Sequence, residues 1–166
     1  MNESDLLVRL QKATAHIPGV LSGARALSFM GEHSAGWLGL AGVGACVEPQ
    51  RRKEWLGLGA AALGTHAASV VIKRIVRRPR PHDPRIKIGV KTPSQLSFPS
   101  SHATSTTAAM VFLSRMMNSA WPLSVVPIMM CSRMVLGVHY PTDVTAGALL
   151  GAAGAELTRK IERQIA

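Results

Sequence analysis

The sequence predicts an all-α protein: a multi-pass membrane helical bundle of about five spanning helices, preceded by an N-terminal amphipathic helix. Three observations carry that expectation. Five short apolar segments rich in Ala and Gly recur between polar hinges, at residues 34–47, 55–72, 103–117, 121–138 and 141–157. Trp37, Trp55 and Trp121 lie at or near segment ends, where an interfacial aromatic belongs. Charges gather in the connections, as at Arg51, Arg52 and Lys53, and in the tail at Arg159, Lys160 and Arg163.

Taken in order, residues 1–33 form an N-terminal interfacial region. Leu6, Leu10, Ala13 and Ile17 fall at helical spacing, so the segment from Asp5 to Ile17 can either lie on a membrane surface or cover the bundle. The start of the chain does not read as a cleaved signal peptide. The segment 55–72 is the best spanning candidate, because its 18 residues give about 27 Å of helix, close to a bilayer's hydrocarbon thickness. Residues 73–99 contain Pro79, Pro81, Pro84, Pro93 and Pro99 and cannot be one helix. A structured loop of that length in a small protein is usually functional. In the last segment Gly147 and Gly151 stand at GxxxG spacing, which permits close helix contact; packing within the chain is expected over dimerisation. A homo-oligomer is not indicated.

At 166 residues the chain fits one domain, so a single membrane-embedded unit, 1–166, is expected. A mean hydropathy of +0.18 is modest and keeps a soluble helical bundle as the alternative. Lys and Arg number 19 against 9 acidic residues, and the net charge of +10 implies an anionic partner. Three Trp, three Phe and one Tyr are a thin supply for base stacking, and the basic residues do not stripe one surface, so no nucleic acid is expected. Cys46 and Cys131 sit in apolar stretches without a CxxC pattern and are expected to be small buried residues.

Three strings carry chemistry: KRIVRRPRP from Lys73, PSSH from Pro99 and SRMVLGVHYPTD from Ser132. In the last, Pro141 suits a first helical turn, placing Asp143 inside the helix start and His139 just before it. A carboxylate there can cap the helix, reach the imidazole, fix its tautomer and leave the other ring nitrogen free to attack. The plain alternative is a helix cap beside an interfacial histidine. In PSSH, Ser100 or Ser101 can cap a helix running from about His102, whose first N–H groups make an anion site and whose imidazole can act as a general acid. Two X-Pro steps extend the backbone around Arg80 and aim its guanidinium into the loop, where it can grip phosphate oxygens. Arg74, Arg77 and Arg78 read as ordinary flanking charge. Arg133, inside an apolar helix, is a functional candidate because burying it without a partner is costly.

Together the strings resemble the type 2 phosphatidic acid phosphatase family, the lipid phosphate phosphatases related to vanadium haloperoxidases. The pattern of that family is Lys, six residues, Arg-Pro; then Pro-Ser-Gly-His; then Ser-Arg, five residues, His, three residues, Asp. Lys73 with Arg80-Pro81, and Ser132 with Arg133, His139 and Asp143, meet those spacings, and Ser101 stands where Gly is usual. The resemblance implies a chloroperoxidase-like helical core in the cell membrane, with residues 73–99 as the active-site loop. It implies that His139 attacks phosphorus to give a phosphohistidine, that Asp143 orients it, and that His102 is acid and then base. Lys73, Arg80, Ser100, Ser101 and Arg133 would hold the phosphate oxygens, with no metal and no cofactor. The substrate is then a lipid-linked phosphate met among membrane lipids. A prenyl-linked phosphosugar is favoured by the stretches Gly31–Gly42 and VVIKRIVRRPRPHDPRI, while phosphatidylglycerophosphate, phosphatidic acid and polyprenyl pyrophosphate stay open. The competing classes are a non-catalytic basic membrane protein that binds anionic lipid and a vanadate-dependent oxidase.

Overall fold

The computed structural model describes residues 2–165; its regular elements are helices, with no β-strand among the described residues. Seven α-helices follow in chain order: α1 (Glu3–Thr14), α2 (Val20–Gly31), α3 (Ala35–Val47), α4 (Arg52–Val76), α5 (Ser101–Met116), α6 (Val125–Val135) and α7 (Pro141–Ile165). The five apolar segments of the sequence become α3 to α7, displaced by a few residues at their ends.

α5 is the centre of the bundle, packed against α4 and α7, with α3 outside α4 and α2 against α6. Leu58, Ala108, Ala109, Phe112, Met129 and Ala155 fill the space between them. The close α5–α7 contact depends on Gly147 and Gly151. A Cβ at Gly147 would stand 2.7 Å from the Ser100 carbonyl oxygen, and one at Gly151 would meet the Thr104 carbonyl. The GxxxG pair is thus used within the chain.

Around this apolar core, buried hydroxyls and outward apolar side chains depart from the pattern of a water-soluble bundle. Thr104, Ser105, Thr106 and Thr107 of α5 are buried, whereas Val43, Leu56, Val71, Ile75, Ile128 and Leu149 point outward on the other helices. Two of the buried hydroxyls are satisfied one turn back, Thr104 Oγ1 donating to the Ser100 carbonyl at 2.8 Å and Ser105 Oγ to the Ser101 carbonyl at 3.1 Å. The helical run Pro49–Val76 is long and apolar enough to cross a bilayer. Cys46 and Cys131 are free and exposed, not buried as expected, because the apolar helices that carry them turn those faces outward. Trp37 departs the other way. It lies 6% exposed in the core and donates its indole N–H to Thr106 Oγ1 at 3.1 Å, while Trp121 is exposed.

The N-terminal region holds two helices. Asn2 and Asp5 cap α1 reciprocally, each side chain accepting the other's backbone N–H. Leu7 and Val8 of α1 pack on Ile86 and Tyr140, so the buried strip lies beside the expected face, and Leu6 and Ile17 stay exposed. Gln11 fastens α1 to the long loop by accepting the Lys87 N–H at 2.9 Å and donating to the Lys87 carbonyl at 2.7 Å. The second helix, α2, lacks a counterpart in the sequence reading. It ends in a sharp corner where His33 (φ 50°) and Ser34 (φ 62°) both take the left-handed conformation, which costs on the order of 1–3 kcal/mol for each non-glycine residue.

Candidate active site

The ends of α2, α4 and α6, the loop 77–100 and the start of α5 meet around a cavity of about 420 Å³, with His139, just ahead of α7, in its wall. Its walls include Lys73, Arg80, Ser101, His102, Arg133 and His139. Segments 60 residues apart in sequence therefore deliver the three strings to one place.

α7 begins at Pro141, and Asp143 Oδ2 accepts the Tyr140 N–H at 2.8 Å, the capping contact expected of it. That holds Asp143 fully buried with Oδ2 3.6 Å from His139 Nδ1. The separation is longer than a hydrogen bond, and His139 Nδ1 has no partner among the described residues. On the other side of the ring, Nε2 lies 3.3 Å from Arg80 Nη1. A guanidinium only donates, so Nε2 accepts and the ring proton belongs on Nδ1, facing the carboxylate. Burial, reinforced by Arg80, Arg133 and Lys73, holds the His139 imidazole well below the usual histidine range and keeps it neutral.

Lys73 and Arg80 are held by carbonyl groups and Arg133 by a hydroxyl. Lys73 Nζ donates to the carbonyls of Ser97, at 3.2 Å, and Pro99. Arg80 donates to the Ser94 and Val138 carbonyls, both at 2.7 Å, and burial lowers it to about 10, so it stays charged at neutral pH. Arg133 is 2% exposed, with Nη1 on Ser28 Oγ at 2.6 Å and Nε without a partner.

The two serines of PSSH divide. Ser100 is the N-cap of α5, its hydroxyl accepting from the Ala103 N–H, and it does not line the cavity. Ser101 lines the cavity and sits 2.7 Å from the Ser69 hydroxyl on α4, which accommodates its side chain where glycine is usual. His102 Nε2 is 2.9 Å from the Ser28 carbonyl. That oxygen can only accept, so Nε2 carries a proton and Nδ1 is the atom that titrates.

Two residues were missed in the sequence. Ser28 of α2 holds both Arg133 and His102, and no local pattern marks it. Arg78, read as flanking charge, donates to Asp143 Oδ1 at 2.9 Å and Thr142 Oγ1 at 2.6 Å, and its other nitrogen meets Glu3 Oε2 at 2.5 Å. Its guanidinium lies 4.3 Å from the centre of the Tyr140 ring. Glu3 completes the cluster by accepting the Thr142 N–H at 3.0 Å. The repeated Arg-Pro of RRPRP thus splits its work: Arg80 faces the cavity and Arg78 braces the carboxylate behind it. No group of three or more His, Cys, Asp or Glu suited to hold a metal ion occurs among the described residues.

A helical bundle that brings His102, His139, Arg80, Arg133 and Lys73 to one cavity is suited to handling a phosphoryl group. The model of the PAP2 superfamily matches residues 54–165, and the chain belongs to that superfamily. Among curated relatives, the decaprenylphosphoryl-5-phosphoribose phosphatase of Mycolicibacterium smegmatis is 59% identical over 145 residues, covering 87% of this chain and 81% of that protein. The protein of the same name from Mycobacterium tuberculosis is 53% identical over 150 residues, covering 90% and 85%. The fold is similar to the crystal structure of the transmembrane PAP2 type phosphatidylglycerolphosphate phosphatase from Bacillus subtilis, with a TM-score of 0.76 and 21% identity over 98% of this chain and 87% of that one. It is equally similar to Aquifex aeolicus LpxE, with a TM-score of 0.77 and 20% identity over 94% and 93%.

Proposed function

We propose that this chain is a single-domain, multi-pass membrane phosphatase that removes the 5-phosphate from a prenyl-linked phosphoribose. Its place in a cell is the supply of a lipid-linked pentose for cell-wall arabinan. The 59% identity to a decaprenylphosphoryl-5-phosphoribose phosphatase, together with Lys73, Arg80, His102, Arg133 and His139 on one cavity, carries the reading. Helices α3 to α7 span the membrane. The outward apolar side chains on these helices and the polar interior of α5 support this, since lipid offers no reason to hide leucine and every reason to hide hydroxyls.

In the reaction, Arg80 gives up its contact with His139 Nε2 to the phosphate oxygens, which frees the nitrogen lone pair. Nε2 attacks phosphorus, the bond to the ribose oxygen breaks, and His102 delivers its proton to the departing alcohol. Asp143 stabilises the charge that grows on the His139 ring; apo hydrogen bonds of this kind tighten when substrate binds. His102 then takes a proton from water, whose oxygen attacks phosphorus, breaks the P–N bond and restores His139. Lys73, Arg80, Arg133 and the N–H groups at the start of α5 hold the equatorial oxygens as charge builds. Ser101 adds a hydroxyl to this cradle, and Ser100 acts by fixing the helix start.

A substrate panel tests the assignment. Purified protein should release phosphate from the prenyl phosphosugar with a higher kcat/KM than from phosphatidylglycerophosphate, phosphatidic acid or polyprenyl pyrophosphate. Preference for any of those three would replace the substrate, and no release from any of them would favour a lipid-binding role.

A further inference from the structure

The catalytic strings leave part of the cavity wall unused. Next to the phosphate-handling groups it is lined by Glu32, His33 and His66, none of which belongs to the three strings. His33 and His66 face each other with ring centroids 6.0 Å apart. His66 Nδ1 is sealed from solvent and has no hydrogen-bond partner among the described residues. No described group satisfies that nitrogen, and a turn of the ring would bring it to a ligand in the cavity. Glu32 and His33 reach this wall through the corner at the end of α2, whose two consecutive left-handed residues hold a conformation that stays only where the surroundings enforce it.

The position fits the group beyond the phosphate. His66 precedes Lys73 by seven residues, two turns along one face of α4, which puts it about 10 Å further along the helix. One sugar ring fits in that interval. The cavity of about 420 Å³ is about fourteen water volumes at ~30 Å³ each, several times what a phosphoryl group fills. A carboxylate that accepts and two imidazoles that donate or accept are the complement of neighbouring hydroxyl groups.

We propose that Glu32, His33 and His66 form a hydroxyl-reading subsite that binds the diol of the pentose and makes the cavity selective for a sugar leaving group. The subsite rests on the proposed function and deepens it by naming what selects the substrate. Where a site is built to hydrogen-bond a hydroxyl, losing the bond affects only substrates that carry one.

The test compares His66→Ala and His66→Gln with the parent protein, using a short-chain prenylphosphoryl-5-phosphoribose, phosphatidylglycerophosphate and phosphatidic acid, which has no headgroup hydroxyl. Inhibition by orthovanadate reports the phosphate cradle separately. His66→Ala should lower kcat/KM about tenfold or more for the phosphoribose lipid. It should lower it less for phosphatidylglycerophosphate and within about twofold for phosphatidic acid, with vanadate inhibition unchanged. His66→Gln, which keeps a donor and an acceptor, should recover part of the loss. Equal losses on all three lipids, or no loss on the phosphoribose lipid, overturn the subsite while leaving the phosphatase assignment intact. A parent protein that fails on the phosphoribose lipid but turns over the others overturns the substrate assignment, and the subsite with it.

Discussion

Replacing Arg78 with Ala removes the guanidinium that braces Asp143 from behind. Asp143 is fully buried and Arg78 is 28% exposed, so their contact at 2.9 Å is only partly screened by solvent. Losing one partner of a buried ion pair costs about 3–5 kcal/mol. Asp143 keeps the Tyr140 N–H at 2.8 Å, which lowers the expected loss of stability to about 2–3 kcal/mol. If half of that is orientation lost in the transition state, at 1.36 kcal/mol per factor of ten, kcat/KM falls about tenfold. The assay is phosphate release in detergent micelles, read beside thermal unfolding of the same preparation. Arg78→Lys, which can still reach one carboxylate oxygen, should recover most of the unfolding temperature and part of the rate. Glu3→Gln, which leaves the Arg78–Asp143 contact in place, should cost about threefold or less. An Arg78→Ala protein with parental kcat/KM would refute the claim that α1 and the loop hold the histidine–aspartate pair in register.

Ser28→Ala should raise KM about tenfold and change kcat less, because Arg133 loses the hydroxyl it donates to while the Ser28 carbonyl still holds His102; Michaelis constants for the lipid substrate check it. The lowered His139 value keeps the nucleophile unprotonated at acid pH, so the acid limb of kcat/KM should fall below the ordinary histidine value of about 6.5; an acid limb at or above that value would contradict a neutral His139 nucleophile. Gly151→Leu should unfold the protein at markedly lower temperature, because its side chain meets the Thr104 backbone, and a thermal shift in detergent measures it.

How much of this was legible in the sequence depended on distance along the chain. Helix starts marked by short-range chemistry were readable: Pro141 with Asp143 at α7, and Ser100 at α5. The positions that line the cavity were readable through fixed spacings, since KRIVRRPRP runs from the end of α4 into the loop and SRMVLGVHYPTD joins the end of α6 to the start of α7. Arg78 was assigned to solvent because its partners, Glu3 and Asp143, lie 75 and 65 residues away. Ser28 and α2 were missed because Val20–Gly31 mixes Gly, Ser and Arg with its apolar residues and looks like a connection. Trp37 was placed at an interface by position alone, yet Thr106 offers a buried acceptor that only the folded α5 presents. The cysteines erred for a related reason: in lipid, apolar sequence does not separate inside from outside.

The proposed reaction requires a covalent phosphohistidine at position 139. Rapid quench into alkali with substrate labelled on the 5-phosphate, followed by peptide mapping, should place the label on the peptide containing His139. The label should persist longer in His102→Ala, where the activating base is missing. An unlabelled His139 peptide, or a His139→Ala protein that still releases phosphate at the parental rate, would contradict it.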